Sequence, residues 1–246
     1  MYAFDFKLYP LVLLKSCINV TAFSKKEYSN KSLTGGSSSG GGSSSGGGNI
    51  PSVSGVISVA PVSNFVFRDC DSFEWAKESI KNLYEKGVIS GISNDEFAPQ
   101  NNVTREQFVK LIVAAFEINN SDNNISFKDV DNNAWYYDYI CAAVNAGIIS
   151  GMSENDFGVG RNISREDMAV ICLRAMKLKK EHIKNEGVNM LLDRDSVSDY
   201  AQEAVSILYQ NGIISGDEKG MFNPKSSANR AQAAVIIDKL IKFCAN

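Results

Sequence analysis

Hydrophobic residues after residue 66 fall into six amphipathic segments, arranged as three similar pairs. In the first segment Ala76, Ile80, Leu83 and Tyr84 recur at helical spacing. That spacing predicts a helix with one apolar face. Gly87 follows the last apolar position, where a glycine in the left-handed conformation commonly ends a helix.

The second segment of each pair begins with a helix-capping pattern. Thr104-Arg105-Glu106-Gln107 has the spacing of a capping box, in which the first and fourth side chains bind backbone N–H groups. Ser164 and Asn229 stand at the corresponding places in the other two pairs. The apolar positions behind Thr104 share one helical face: Phe108, Leu111, Ile112, Ala115 and Phe116.

The three pairs are copies of one unit. Phe67-Arg68-Asp69-Cys70-Asp71 aligns with Phe127-Lys128-Asp129-Val130-Asp131, and the third copy follows after a longer connector. One helix pair cannot cover its own apolar face, so the repeats must share a core. We predict an all-α fold: three tandem helix-loop-helix repeats forming a pseudo-threefold helical bundle with three similar grooves. Further matched positions are Trp75, Trp135 and Tyr200; Gly91, Gly151 and Gly216; Arg105, Arg165 and Arg230.

The repeats follow a stretch of different composition. Residues 35–48 read GGSSSGGGSSSGGG, a flexible tether that joins parts able to move independently. The 34 residues before it are too few for a conventional domain, so we expect either that a tethered cargo domain on this side has been lost or truncated, or that this segment is a tail. The apolar run from Leu8 to Leu14 is too short to span a bilayer and has poor signal-peptide flanks. The predicted divisions are 1–34, a segment of unknown structure; 35–66, linker and lead-in; 67–126, copy 1; 127–192, copy 2 with its connector; and 193–246, copy 3.

Composition narrows the function. The chain has 246 residues, 44% hydrophobic, with a net charge of -3 and a pI near 5.3. It can build a core but has no basic field, so we expect neither nucleic-acid binding nor membrane insertion. Its five cysteines contain no CxxC pair and are read as isolated thiols, and His182 as a solvated connector residue. The common catalytic motifs are absent, which argues against an enzyme and a cofactor.

An arginine occupies the first position of the second helix in every copy: Arg105, Arg165 and Arg230. A cation there faces the positive end of the helix dipole, which costs about 0.3–1 kcal/mol when exposed. Two explanations remain open. The arginines pair with acids such as Glu106 and Glu166, or they join the N-terminal amides in binding a carboxylate or phosphate.

Three other features also allow two interpretations. Trp75, Trp135 and Tyr200 are expected in the core, although such rings also suit the apolar face of a sugar. Gly91, Gly151 and Gly216 are expected in turns with positive φ, or where a ligand approaches closely. Residues 129–133 begin like a calcium-binding EF-hand loop, but Ala134 and Ile140 replace its required glycine and glutamate. Helix capping is therefore preferred, and no metal is expected.

The repeats resemble S-layer homology modules of bacterial surface proteins. The segments that carry the resemblance are FRDCDSFEWAKESIKNLYEKGVISG with VTREQF, FKDVDNNAWYYDYICAAVNAGIISG with ISREDM, and DRDSVSDYAQEAVSILYQNGIISG with ANRAQA. The resemblance implies an extracellular anchor that binds secondary cell-wall polysaccharide in inter-module grooves, typically at a pyruvylated amino sugar. A protein-docking scaffold at the cell surface and a glycoside hydrolase are the alternatives.

The resemblance also implies which residues bind. The arginine of each TRAE-like motif is expected to contact the anionic ketal. Copy 3 departs most, with Tyr200 for tryptophan, Asn229 and Ala231 beside its arginine, and Leu191-Leu192 at its start. We therefore expect Arg105 and Arg165 to matter most for wall binding and Arg230 less. The predicted ligand-binding residues are Arg105, Arg165, Arg230, Gly91, Gly151, Gly216, Trp75, Trp135, Asp69 and Asp129, with no catalytic or metal site.

Overall fold

The computed structural model describes residues 67–119, 124–180, 183, 185 and 191–245. The tether, Cys17 and His182 lie outside this part. Its regular elements are helices, with no strand among the described residues, which confirms the all-α class. The α-helices are α1 (Glu74–Glu85), α2 (Arg105–Ala115), α3 (Tyr137–Asn145), α4 (Arg165–Lys179), α5 (Asp199–Gln210) and α6 (Arg230–Ala245), with short 3₁₀ helices at Arg68–Cys70 and Arg194–Ser196.

The helix ends follow the predicted local rules. The Thr104 N–H donates to the Gln107 side chain at 3.1 Å, and Asn229 Oδ1 accepts from the Gln232 N–H at 2.9 Å. Ser164 Oγ accepts from the Asp167 N–H at 3.1 Å. Gly87 has φ +70°, as predicted for the residue that ends α1.

The predicted apolar faces are buried, or half-buried at Leu111 and Ala115, with one exception. Ala76, Ile80 and Leu83 of α1 are fully buried. Tyr84 was expected on the same face, but it is exposed and its ring packs on Phe67 at the edge of the core, with 5.1 Å between ring centroids.

Helices pair between copies rather than within them. Helix α2 packs against α3, α4 packs against α5, and α6 returns to pack against α1. The three second helices, α2, α4 and α6, also contact one another. Each copy therefore covers the apolar face of a neighbour, and the core belongs to all three.

The loops before the second helices exchange backbone hydrogen bonds in a closed cycle. The N–H of Val103 donates to the carbonyl of Ala228, that of Ala228 to Ile163, and that of Ile163 to Val103, each at 2.9 Å. This cyclic order supports the pseudo-threefold arrangement, which itself stays a prediction.

Four of the five cysteines lie in the part of the chain that the structure describes. Cys70, Cys141 and Cys172 are buried and Cys244 is partly buried. Burial raises the pKa of Cys70 to about 11, with Asp69 adding to the effect. The prediction of isolated thiols is confirmed for Cys70, Cys172 and Cys244.

Candidate functional site

The acidic turn of each copy holds the loop that follows its first helix. We call these segments loop 1 (87–104), loop 2 (147–164) and loop 3 (212–229). Asp129 accepts backbone N–H groups from Phe157 at 2.8 Å, Gly158 at 2.7 Å and Val159 at 2.9 Å. Burial raises the pKa of Asp129, but these three hydrogen bonds outweigh it and the net shift is downward. Asp69 holds loop 1 and Asp193 holds loop 3 in the same way.

The side chain of Arg230 reaches from α6 into loop 1 of another copy. Its Nε donates to the carbonyl oxygen of Phe97 and its Nη2 to that of Ser90, both at 2.8 Å. The guanidinium carbon lies 4.3 Å from the centroid of the Phe97 ring, which gives a cation–π contact. The arginine is therefore fixed by an aromatic face and two carbonyls.

The other two arginines make corresponding contacts with loops 2 and 3. Arg165 Nε donates to the Phe222 carbonyl at 2.7 Å, and its guanidinium carbon lies 4.8 Å from that ring centroid. Arg105 Nη2 donates to the Ser150 carbonyl at 2.9 Å. The Nε of Arg105 is buried and has no partner in the described part of the chain. Each arginine thus links two copies.

The arginines do not pair with the acids proposed for them. Within the ranges described, no carboxylate oxygen lies within 4 Å of Arg105, Arg165 or Arg230. Glu106 instead accepts the Gly160 N–H at 3.0 Å, and Glu166 pairs with Lys225 at 2.7 Å. Burial lowers the pKa of all three arginines. They are partly desolvated cations, and none has a counter-ion in contact among the described residues.

One explanation offered for the arginines was that the N-terminal amides of α2, α4 and α6 bind an anion with them. Backbone N–H groups at these helix starts already donate hydrogen bonds within the protein. The N–H groups of Arg105, Arg165 and Arg230 donate to carbonyls of a neighbouring copy at 2.9, 3.0 and 2.9 Å. The amide of Glu166, one residue further on, donates to Pro224 at 3.0 Å. An anion would therefore meet the arginine side chains rather than the ends of the helices.

The Arg230 groove combines residues from all three copies. It is lined by loop 1, by Gln107, Lys110 and Leu111 of α2, by Trp135 of copy 2 and by Arg230 of copy 3, around a cavity of about 190 Å³. Cationic groups and an exposed aromatic ring thus face one space.

The Arg165 groove repeats this plan with a different charge. Arg165 of copy 2, loop 3, Gln232 of α6 and Trp75 of copy 1 line a wider cavity of about 900 Å³. Its lining includes the acids Asp217 and Glu218 and the cations Lys219 and Lys239. This groove is therefore more nearly neutral.

The Arg105 groove contains its own carboxylate. Asp167 stands where Gln107 and Gln232 stand in the other grooves, and it accepts the Tyr200 hydroxyl at 2.9 Å. Burial lowers the pKa of Arg105, and the charge of Asp167 opposes that shift. Negative charge inside the groove makes it the least suited to an anionic ligand.

The aromatic residues at the grooves were expected in the core, but they lie on the surface. Trp75, Trp135 and Tyr200 are 57%, 55% and 59% exposed. They lie at the starts of the first helices, beside the grooves rather than on the faces that meet the core. Both tryptophans are therefore available to a ligand.

The expectation of positive φ at Gly91, Gly151 and Gly216 was wrong. None of the three has positive φ, and the glycine is required for space. A Cβ at Gly151 would collide with the Phe127 ring and with carbonyls of loop 2. These glycines shape the loops, and Gly216 also lines the Arg165 groove.

Because the grooves are shared between copies, two expectations from the sequence need a different physical basis. The ranking of Arg105 and Arg165 above Arg230 stays a prediction, but it assumed one groove per copy, whereas Arg230 of copy 3 lines a groove with loop 1 and Trp135 of copy 2. Contacts of Asp69 and Asp129 with a ligand stay a prediction, and the carboxylate oxygens of both residues already accept hydrogen bonds from loops 1 and 2. The sequence analysis did not identify Lys110 as a groove residue. The difference between copies could have pointed to it, because copies 2 and 3 have Val170 and Val235 at this position.

No metal centre is found in the part of the chain that the structure describes. No group of three or more His, Cys, Asp or Glu side chains is placed to ligate an ion there. In the turn that resembled a calcium loop, Asp131 Oδ1 accepts the Asn133 N–H at 2.9 Å, a local capping contact.

The sequence model of one family, the S-layer homology domain, matches three segments of the chain: residues 66–109, 126–169 and 192–234. The chain belongs to the S-layer homology family. The resemblance seen in the repeats is thereby confirmed, with three tandem modules. Membership places the chain at the cell surface, in extracellular association with the bacterial cell wall.

Several longer proteins contain similar S-layer homology regions. An endoglucanase of Bacillus sp. (strain KSM-635) is 34% identical over 78% of this chain and 20% of its own length. The exoglucanase XynX of Acetivibrio thermocellus is 35% identical over 68% of the chain and 16% of its own length. The surface-layer 125 kDa protein of Lysinibacillus sphaericus is 32% identical over 68% and 14%. The chain thus spans a fifth or less of these relatives.

The described helices include none with the length and apolar character needed to cross a bilayer.

Proposed function

We propose that this S-layer homology domain anchors its parent protein non-covalently by binding secondary cell-wall polysaccharide in the inter-module grooves. The ligand is an anionic saccharide end, a pyruvylated amino sugar. The observation that carries the proposal is the Arg230 groove, where Arg230 and Lys110 face an exposed Trp135 with no carboxylate in contact with either cation among the residues described.

The chemistry of the groove fits such a ligand. The flat face of Trp135 suits the apolar face of a sugar ring. The guanidinium of Arg230 is held in place by Phe97 and Ser90 before a ligand arrives, so binding a carboxylate costs little further ordering. Because the arginine lies in a partly desolvated site, its attraction for an anion is stronger than it is in bulk water.

The three grooves contribute unequally under this proposal. The Arg230 groove is the main site, the Arg165 groove with Trp75 is the second, and the Arg105 groove contributes least because of Asp167. Gly91, Gly151 and Gly216 act indirectly by shaping the loops, and Asp69 and Asp129 by holding them.

The biochemical activity resides in the rest of the longer protein that contains this domain, and the domain holds that protein at the wall. Relatives named as glucanases have the similar region as a small share of their length. We propose that the Gly/Ser tether of residues 35–48 joins the anchor to a cargo domain and that the anchor itself performs no catalysis.

Co-sedimentation with purified wall sacculi tests the proposal. The chain is expected to pellet with intact sacculi and to remain in solution with sacculi from which the polysaccharide has been chemically extracted. Equal pelleting with extracted sacculi would contradict polysaccharide binding and favour a docking scaffold. Release of soluble sugar from the sacculi would favour a hydrolase.

A further inference from the structure

One helix position distinguishes the three grooves. Lys110 of α2 lines the Arg230 groove, whereas the corresponding positions of α4 and α6 are Val170 and Val235. The Lys110 ammonium donates to the carbonyl of Val88 at 3.4 Å, which is long for a hydrogen bond. Lys110 therefore has donors available to a second partner, since an ammonium carries three.

The two cations of this groove repel one another. Burial lowers the pKa of Lys110, and the charge of Arg230 lowers it further. In the described ranges neither cation has a carboxylate oxygen within 4 Å. Asp69 acts on Arg230 only from a distance, and its oxygens hold the backbone of loop 1. An anion between the two cations would relieve their repulsion.

The other grooves have their second cation one helical turn later, and they also contain acids. In the Arg165 groove Val235 stands at the lysine position and Lys239 follows one turn later, but Asp217 partly offsets the charge of Arg165. In the Arg105 groove Val170 stands at this position, Arg174 follows one turn later and donates to the Ile148 carbonyl, and Asp167 lies nearby. The Arg230 groove therefore differs in having two cations and no acid among its described lining residues.

We propose that Lys110 is a specificity-determining residue, which binds the acidic group of the saccharide together with Arg230 and makes this groove the tightest of the three. The inference rests on the proposed function, because it names a second cation for the same ligand. Two donors from separate copies, one from α2 and one from α6, would bind the ligand only when the ring of copies is closed.

The test measures binding of the intact chain to immobilised wall polysaccharide, before and after chemical reduction of its carboxyl groups. Lys110→Val installs the residue that copies 2 and 3 already carry on their helices, so folding should be retained. We expect it to weaken binding by about tenfold or more, as for loss of a charge-assisted hydrogen bond. The salt dependence of binding should also become weaker.

Two further samples complete the design. Val235→Lys places a lysine in the Arg165 groove and is expected to tighten binding. The chain without substitutions, called the parent chain below, and Lys110→Val should bind carboxyl-reduced polysaccharide equally weakly. Thermal unfolding of each variant verifies that it is folded.

The outcomes separate the inference from the proposed function. If the parent chain binds native polysaccharide better than the reduced form, but Lys110→Val has the same affinity and salt dependence as the parent, the role of Lys110 is wrong and the anchor stands. If the parent chain binds native and reduced polysaccharide equally, or neither, recognition of a carboxylate is itself wrong.

Discussion

Replacing Arg165 and Arg230 together by methionine is expected to lower affinity for wall polysaccharide by about 100-fold or more. Loss of one hydrogen-bonded charge costs about 1.5–3 kcal/mol, which is about tenfold or more for each groove, and the two losses multiply because both grooves bind the polysaccharide of one sacculus at the same time. Methionine keeps an aliphatic contact with Phe222 and Phe97 while removing the charge. Binding is measured by co-sedimentation over a range of protein concentrations.

Matched variants identify the cause of this loss. Arg68→Met and Arg161→Met remove exposed arginines that pair with Asp95 and Asp156, and they should bind like the parent. Arg105→Met should have a smaller effect than either Arg165→Met or Arg230→Met. Parent-like binding by the double variant, with helix content preserved, would exclude the arginines from the site.

Asp129→Asn is expected to cause the largest loss of stability among conservative substitutions of the acidic turns. The carboxylate accepts three backbone N–H groups of loop 2, and an amide offers only one oxygen and turns N–H donors toward N–H donors. We expect the free energy of unfolding to fall by about 2–4 kcal/mol, which corresponds to a melting temperature lower by roughly 5–15 °C.

The effect of this substitution should depend on pH. The pKa of Asp129 in the folded chain lies below its ordinary value of 3.8, so its contribution is complete above that value. The contribution is lost as the pH falls through the lower folded pKa. Urea unfolding at neutral and acidic pH should therefore show a difference between parent and variant that shrinks in acid.

Glu154→Gln is the matched control, because Glu154 is an exposed acid in the same loop. It should change stability by no more than about 0.5 kcal/mol. If Asp129→Asn is as stable as this control, Asp129 does not hold loop 2. A direct contact of Asp129 with the ligand would then be the better explanation of this residue.

The local structure could be predicted from sequence because its causes are local. Helical spacing placed Ile80 and Leu83 in the core, and the capping residues Thr104 and Asn229 marked where α2 and α6 begin. Gly87 has the left-handed backbone that its position implied. Each of these features depends on residues a few positions apart.

The composition of the grooves could not be predicted, because it depends on which copies meet. Self-comparison shows that Arg105, Arg165 and Arg230 are equivalent, but not that each reaches a loop of another copy. Packing of α6 against α1 closes the ring and brings Arg230 to loop 1 and Trp135. Copy 3, which departs most from the repeat pattern, therefore supplies the arginine of the groove that we propose as the main site.

The prediction that the tryptophans lie in the core was wrong for a related reason. Aromatic residues near a helix start usually join the core, and periodicity alone gives no sign of a groove beside the helix. Trp75 and Trp135 face spaces made by loops far away in the sequence. Likewise, loop packing rather than backbone conformation explains Gly151, because its neighbour Phe127 comes from the start of the same copy.

A crystal structure of the chain with the terminal disaccharide of the wall polysaccharide tests the central claim most directly. The account predicts the saccharide in the Arg230 groove, with its acidic group within hydrogen-bond distance of Arg230 and Lys110 and a sugar ring against Trp135. A saccharide bound elsewhere, with the Arg230 and Arg165 grooves empty, would contradict it.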